Sequence, residues 1–149
     1  MLLVQAIRSN ASFRASEIAT IDGEEQRTWE EFVDRVARAA DGFRQMGARP
    51  GDRIGILALN SARYLEAQFA VWWLGGVVVP MNIRWSVEEN LYCIDDAGIS
   101  TLIHDLAFAD AAQAIAGQRP QVRQVSLEPN PGGGAPTLVA RDFDREPAE

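Results

Sequence analysis

The sequence predicts an α/β fold: a mostly parallel, doubly wound sheet flanked by helices, with a small β-hairpin at its N-terminal side. Three observations predict it. Short apolar runs bounded by turn residues alternate with helical patterns from Arg53 to Leu127, the rhythm that right-handed crossovers give to parallel strands. Two boxes of the S/T-x-x-E type, Thr28-Trp29-Glu30-Glu31 and Ser86-Val87-Glu88-Glu89, mark helix starts. Asp22-Gly23, set between two short runs, marks a tight turn.

The elements follow in order. Glu17 to Ile21 and Gln26 to Trp29 flank Asp22-Gly23-Glu24-Glu25 and read as the hairpin. A helix opens at Thr28 and buries Phe32, Val36, Ala40 and Phe43 at helical spacing until Gly47 stops it. Its other face carries Asp34, Arg35, Arg38, Asp41 and Arg44, expected to face solvent. After the turn Pro50-Gly51-Asp52, the run Arg53 to Leu59 predicts a strand buried on both faces. Ser61 to Leu74 is apolar almost all round and predicts a helix covered on more than one side, ended by Gly75-Gly76.

Val77 to Pro80 reads as a buried strand, and Ser86 opens a helix that sets Val87, Leu91 and Ile94 on one face and stops at Gly98. Ile99 to His104, Leu106 to Ala116 and Val122 to Leu127 predict strand, helix and strand. Residues 1–128 are thus one α/β unit. Residues 129–149 begin with eight breakers, Pro129 to Pro136, expected to form a flexible loop, and continue through Thr137 to Phe143 into a polar tail. The N-terminal MLLVQAIRSN is assigned no element; it lacks the basic start and long apolar core of a signal peptide.

Composition narrows function by exclusion. A net charge of -7 with dispersed arginines argues against nucleic acid, whose phosphates call for clustered cations. All 14 cations are Arg, which excludes a P-loop, whose motif requires a Lys on the terminal phosphates. Cys93 is the single cysteine and His104 the single histidine, so zinc-site spacings and a disulfide are out of reach. No run approaches the roughly 20 apolar residues of a membrane span. A cytoplasmic protein is expected.

Ligands of open α/β sheets bind beyond the carboxyl ends of the strands, which selects Asn60 and Ser61, Asn82 and Arg84, and His104 and Asp105. None forms a catalytic set. Ser61 reads as a helix cap, Arg84 as a partner for Glu88 or Glu89, and His104 as a packed histidine without a nucleophile elbow. Cys93 reads as an inert core thiol, Asp95-Asp96 as a solvated pair, and Trp72-Trp73 as packing.

Thr28-Trp29-Glu30-Glu31-Phe32, Gly51-Asp52-Arg53, Leu59-Asn60-Ser61, Leu74 to Pro80, Asn82 with Arg84, Glu88-Glu89-Asn90-Leu91 and Asp96-Ala97-Gly98 together resemble the N-terminal part of the adenylate-forming acyl-CoA synthetases. The resemblance covers about two thirds of the chain in one unbroken order. It implies part of the large N-terminal domain of an enzyme that activates a carboxylic acid with ATP and Mg2+ as an acyl-adenylate and passes the acyl group to CoA. It implies a fatty acid as the default substrate and an aryl acid as the alternative. Such enzymes carry a hydroxyl-rich phosphate loop with a Lys, and Gly132-Gly133-Gly134 is not that loop. The expectation is an N-terminal fragment, inactive alone, with no catalytic residue and no cofactor of its own. Asn82 and Arg84 are candidates at the CoA approach, the remainder of the enzyme is the expected partner, and an exposed apolar helix 61–74 would drive homodimerisation. The competing reading is a free-standing α/β module that binds a small ligand or partner.

Overall fold

The computed structural model describes residues 2–128. The elements are α1 (Leu2–Phe13), β1 (Ile18–Asp22), β2 (Glu25–Thr28), α2 (Trp29–Gln45), β3 (Arg53–Leu57), α3 (Ala62–Leu74), β4 (Val77–Pro80), α4 (Val87–Ala97), β5 (Ile99–His104), α5 (Ala109–Gln118) and β6 (Arg123–Ser126). β1 and β2 form an antiparallel ribbon, while the four remaining strands form a parallel sheet in the order β4-β3-β5-β6. The predicted fold class is the observed one. The breaker run 129–136 and residues 137–143 lie outside the described residues.

The helix starts follow their boxes. Thr28 Oγ1 accepts from the Glu31 amide and Glu31 returns a carboxylate oxygen to the Thr28 N–H; Ser86 and Glu89 repeat the exchange. Gly75 and Gly98 end α3 and α4 at φ of 88° and 65°, a left-handed conformation that Gly adopts without a Cβ clash. The helix expected from Leu106 divides instead into a 3-10 turn at Leu106–Phe108 and α5. Asp105 makes no capping bond to this segment. Its carboxylate reaches across the sheet, as described below.

The core has two layers. α2 and α3 bury Phe32, Val36, Phe43, Ala67 and Val71 against Ile54, Ile56, Ile103 and Val125 on one face of the sheet. On the other, α4 and α5 bury Leu91, Ile94 and Ile115 against Leu57 and Leu102. Gly55 allows the close fit on the second face, since a Cβ there would meet Met81 Sδ at 2.9 Å and Ile99 Cδ1 at 3.1 Å. Among the described residues no helix is long and apolar enough to cross a membrane.

Three expectations are corrected by packing. α1 lies where no element was assigned: it tucks Val4 and Ile7 inward and sets the Arg8 guanidinium 5.4 Å over the Trp73 ring. β4 is an edge strand with only β3 beside it, so Val77 is 48% exposed. α3 is covered by α2 and by the sheet, on more than one side as expected, and it also buries Glu66. The charged face of α2 is not simply solvated. Arg35 reaches α3, its Nε 2.7 Å from Glu66 Oε1 and its Nη2 3.2 Å from Oε2, and Arg38 pairs with Asp34 at 2.8 Å along the helix.

The two-pronged Arg35–Glu66 bond has side-chain exposures of 13% and 2%, so it ties α2 to α3 in a setting where a lone charge is costly. Glu66→Leu is expected to destabilise the protein by about 3 kcal/mol, with Arg35→Met plus Glu66→Leu restoring most of the loss. Urea unfolding checks this as midpoint shifts at constant slope.

Candidate functional site

The sheet reverses its winding between β3 and β5. The chain leaves β3 for β4 on one side, then crosses back through α4 to place β5 on the other. That is the crevice where open α/β sheets hold ligands, and a cleft of about 490 Å³ lies there. Asp22, Glu25, Asn60, Ser61, Arg63, Asp105 and Glu128 line it, with Leu59 and Leu127. Sequence reasoning reached Asn60, Ser61 and Asp105 through the strand ends. It missed the acids from the hairpin and from beyond β6, because only the fold brings them to this edge.

The carboxylates at this cleft hold the loops that shape it. Asp105 Oδ2 accepts from the Leu59 amide at 2.7 Å, joining the loops after β5 and β3. Asp22 Oδ2 accepts from the Ala62 amide at 2.9 Å, so the hairpin supplies an anion to the N-terminus of α3. Ser61 Oγ takes the Tyr64 amide of the same helix start at 3.0 Å. Glu128 Oε2 accepts from the Leu106 amide at 3.2 Å, and Arg63 donates to the Leu127 carbonyl at 3.1 Å. At the start of α3 the Ala62 and Tyr64 amides, which could otherwise attract a phosphate, already have acceptors from the chain.

A nucleotide triphosphate and its metal do not fit these residues. Asp22, Glu25, Asp105 and Glu128 face the cleft against Arg63, a sign of charge that repels phosphate. Among the described residues no three His, Cys, Asp or Glu converge to hold a metal ion.

The other selected residues separate. Asn82 and Arg84 stand after β4, at the far side of the sheet. Asn82 Oδ1 accepts from the Arg84 amide at 2.9 Å, a local turn that fixes the loop. Buried Asn90 clamps the same loop from α4, donating to the Ser86 carbonyl at 3.0 Å and the Trp85 carbonyl at 3.4 Å. The pairing expected for Arg84 does not form: Glu89 is engaged at its capping box, and Arg84 makes no ion pair among the described residues. His104 is buried with Nδ1 3.0 Å from the Asp105 carbonyl oxygen.

Cys93 is half-buried at a groove rather than in the core, and burial, aided by the Asp96 charge, pushes its thiol up. That lowers the share of reactive thiolate. Trp72 packs edge-on to Phe69 at 5.0 Å, as packing rather than a cofactor site. Asp95 is not merely solvated: Arg119 binds it with Nε at 2.8 Å and Nη2 at 2.5 Å, tying α4 to the end of α5. Those hydrogen bonds hold the Asp95 carboxyl below its ordinary 3.8, with desolvation opposing them and the Arg119 charge adding to them.

Comparison with known proteins adds an independent finding. Residues 7–144 match the family described as AMP-binding enzyme. Over 92 residues the chain is 44% identical to feruloyl-CoA synthase of Amycolatopsis, covering 62% of this chain and 19% of that one. It is 34% identical over 114 residues to a long-chain-fatty-acid–CoA ligase of Thermus thermophilus, covering 74% and 21%. The chain thus spans about a fifth of the length of these curated relatives. The O-succinylbenzoate coenzyme A synthetase of Bacillus subtilis, solved with ATP and magnesium, superposes with a TM-score of 0.73 at 25% identity, over 81% of this chain and 32% of that one.

Two outcomes follow from the geometry. Asp105→Ala is expected to cost about 1 kcal/mol by leaving the Leu59 amide without its acceptor, and amide hydrogen exchange at Leu59 should quicken in step. Asp95 has a depressed folded pKa, so its bond to Arg119 contributes stability at pH above 3.8 that is lost as pH falls through the lowered folded value. Asp95→Asn is expected to flatten that acid limb in a pH series of thermal melts.

Proposed function

The chain belongs to the AMP-binding enzyme family, and from that premise we propose that it forms part of the large N-terminal domain of an AMP-forming acid–CoA ligase. In this reading residues 1–128 are an α/β scaffold, and residues 129–149 lead toward the phosphate-binding region. The whole enzyme would join a carboxylic acid to CoA with ATP and Mg2+ by way of an acyl-adenylate. The match over residues 7–144 carries the proposal.

The chain's own role is to shape rather than to react. Its switch-point cleft presents carboxylates to the loops, and its sequence holds no Lys. A transition state with charge on phosphoryl oxygens requires cations aimed at it, and these would come from other parts of the enzyme. Asn82 and Arg84 stay as candidates at the CoA approach, Arg84 because its guanidinium is exposed and without an ion pair among the described residues. We favour an aromatic acid over a long-chain fatty acid, because identity is 44% to the feruloyl-CoA synthase and 34% to the fatty-acid ligase.

A graft tests the assignment. Residues 7–128 would replace the matching segment of the Amycolatopsis feruloyl-CoA synthase, and ferulate-dependent exchange of pyrophosphate into ATP would be measured. A folded graft is expected to keep exchange within about tenfold, or ~1.4 kcal/mol, of the parent, while the 149-residue chain alone shows none. A graft that melts cooperatively yet exchanges nothing overturns the ligase assignment. Exchange by the short chain overturns the scaffold role. Faster exchange with a fatty acid than with ferulate, by the enzyme of which this chain is a part, overturns the aryl preference.

A further inference from the structure

We propose that the outer face of α4 is a docking surface for a protein segment that projects an arginine or lysine side chain from an apolar stretch. A groove of about 370 Å³ runs along this face, lined by Trp85, Glu89, Tyr92, Cys93 and Asp96. Its walls are aromatic and its rim is anionic. Tyr92 is 72% exposed although it sits mid-helix, and Trp85 is 37% exposed. Trp and Tyr at such positions are the residues that carry binding energy at protein interfaces, and a cation over their rings gains further attraction.

The charge on this face selects the partner. Glu88 and Asp96 make no ion pair among the described residues, and Glu89 has one oxygen outside its capping box. Arg119 is engaged with Asp95, while Arg84, next to Trp85, is exposed and makes no ion pair among the described residues. A side chain with an alkyl stem and a cationic head matches both features, because the stem covers the rings while the head meets the carboxylates. A second copy of this chain does not match. Two α4 helices laid antiparallel about Tyr92 would set Glu88 of one against Asp96 of the other, acid against acid.

The floor of the surface is held in place before any partner arrives. Asn90 clamps the Trp85 carbonyl, the Asn82 carbonyl accepts from the Trp85 amide at 3.1 Å, and the Ser86–Glu89 box fixes the helix start. Trp85 therefore meets a partner with little backbone ordering left to do. This inference does not rest on the ligase reading.

The single thiol supplies the test, because Cys93 lines the groove. The full chain would be titrated with an acetylated, amidated peptide of leucine and lysine at helical spacing, and with its leucine–glutamate counterpart, at physiological ionic strength. The lysine peptide is expected to slow alkylation of Cys93 by iodoacetamide and the glutamate peptide to leave it unchanged. Asp96→Lys is expected to weaken lysine-peptide binding about tenfold, and Tyr92→Ala to weaken it similarly. Glu24→Lys, the same charge change on the distant hairpin turn, should alter it less than about twofold. Equal effects of Asp96→Lys and Glu24→Lys, or a Cys93 rate unmoved at saturating peptide, would overturn the proposal. So would peptide-free self-association that Tyr92→Ala abolishes, since the occupant would then be a second copy.

Discussion

The bond between Arg35 and Glu66 ties α2 to α3 at two points, and both helices lead to elements that line the cleft. α2 begins where β2 ends, at Thr28, so its placement sets the hairpin. α3 begins at Ser61, the loop that borders the cleft. The hairpin's Asp22 then reaches the Ala62 amide, closing a circuit of α2, α3 and hairpin. Apolar packing between α2 and α3 supplies the larger share of the energy, but packing alone admits sliding. A planar guanidinium held at two points by one carboxylate admits very little.

The parts of the fold legible in the sequence are those decided within a few residues. Both helix boxes, the Asp-Gly turn and the glycine stops act at three or four residues' distance, and each stands where it was read. α1 escaped because its amphipathic stripe is short and no cap precedes it: Val4 and Ile7 alone turn inward. β4 reads as a buried strand because a run of valines looks the same at an edge as at a centre; its exposure depends on strand order, which sequence does not state locally. Arg35 falls on the polar face of its helix by periodicity. It becomes structural only because α3 presents Glu66 to it, 31 residues away.

The candidate site divides along the same line. The rule that ligands gather at strand ends found Asn60, Ser61 and Asp105, because a strand's end is a local feature. The use of the carboxylates was not legible. Asp22 with Ala62, Asp105 with Leu59 and Glu128 with Leu106 span 40, 46 and 22 residues. A strand-end acid read alone looks like a catalytic candidate. The loops after parallel strands leave amides without sheet partners, and at this edge acids from distant segments meet them.

That assignment of acids has an electrostatic consequence for the site as a whole. The crevice sets four carboxylate side chains against one guanidinium, a formal excess of negative charge that is there whether or not anything is bound. A phosphate entering on its own would meet that charge with Arg63 as the local counter-charge, and Arg63 is already turned toward the Leu127 carbonyl. In the proposed ligase reading, phosphate chemistry near this edge would depend on cations delivered with it. A lysine-free element with a net charge of -7 suits a division of labour in which one part holds shape and another brings the positive charge. In that proposed arrangement the acidic edge would favour approach of the cationic part.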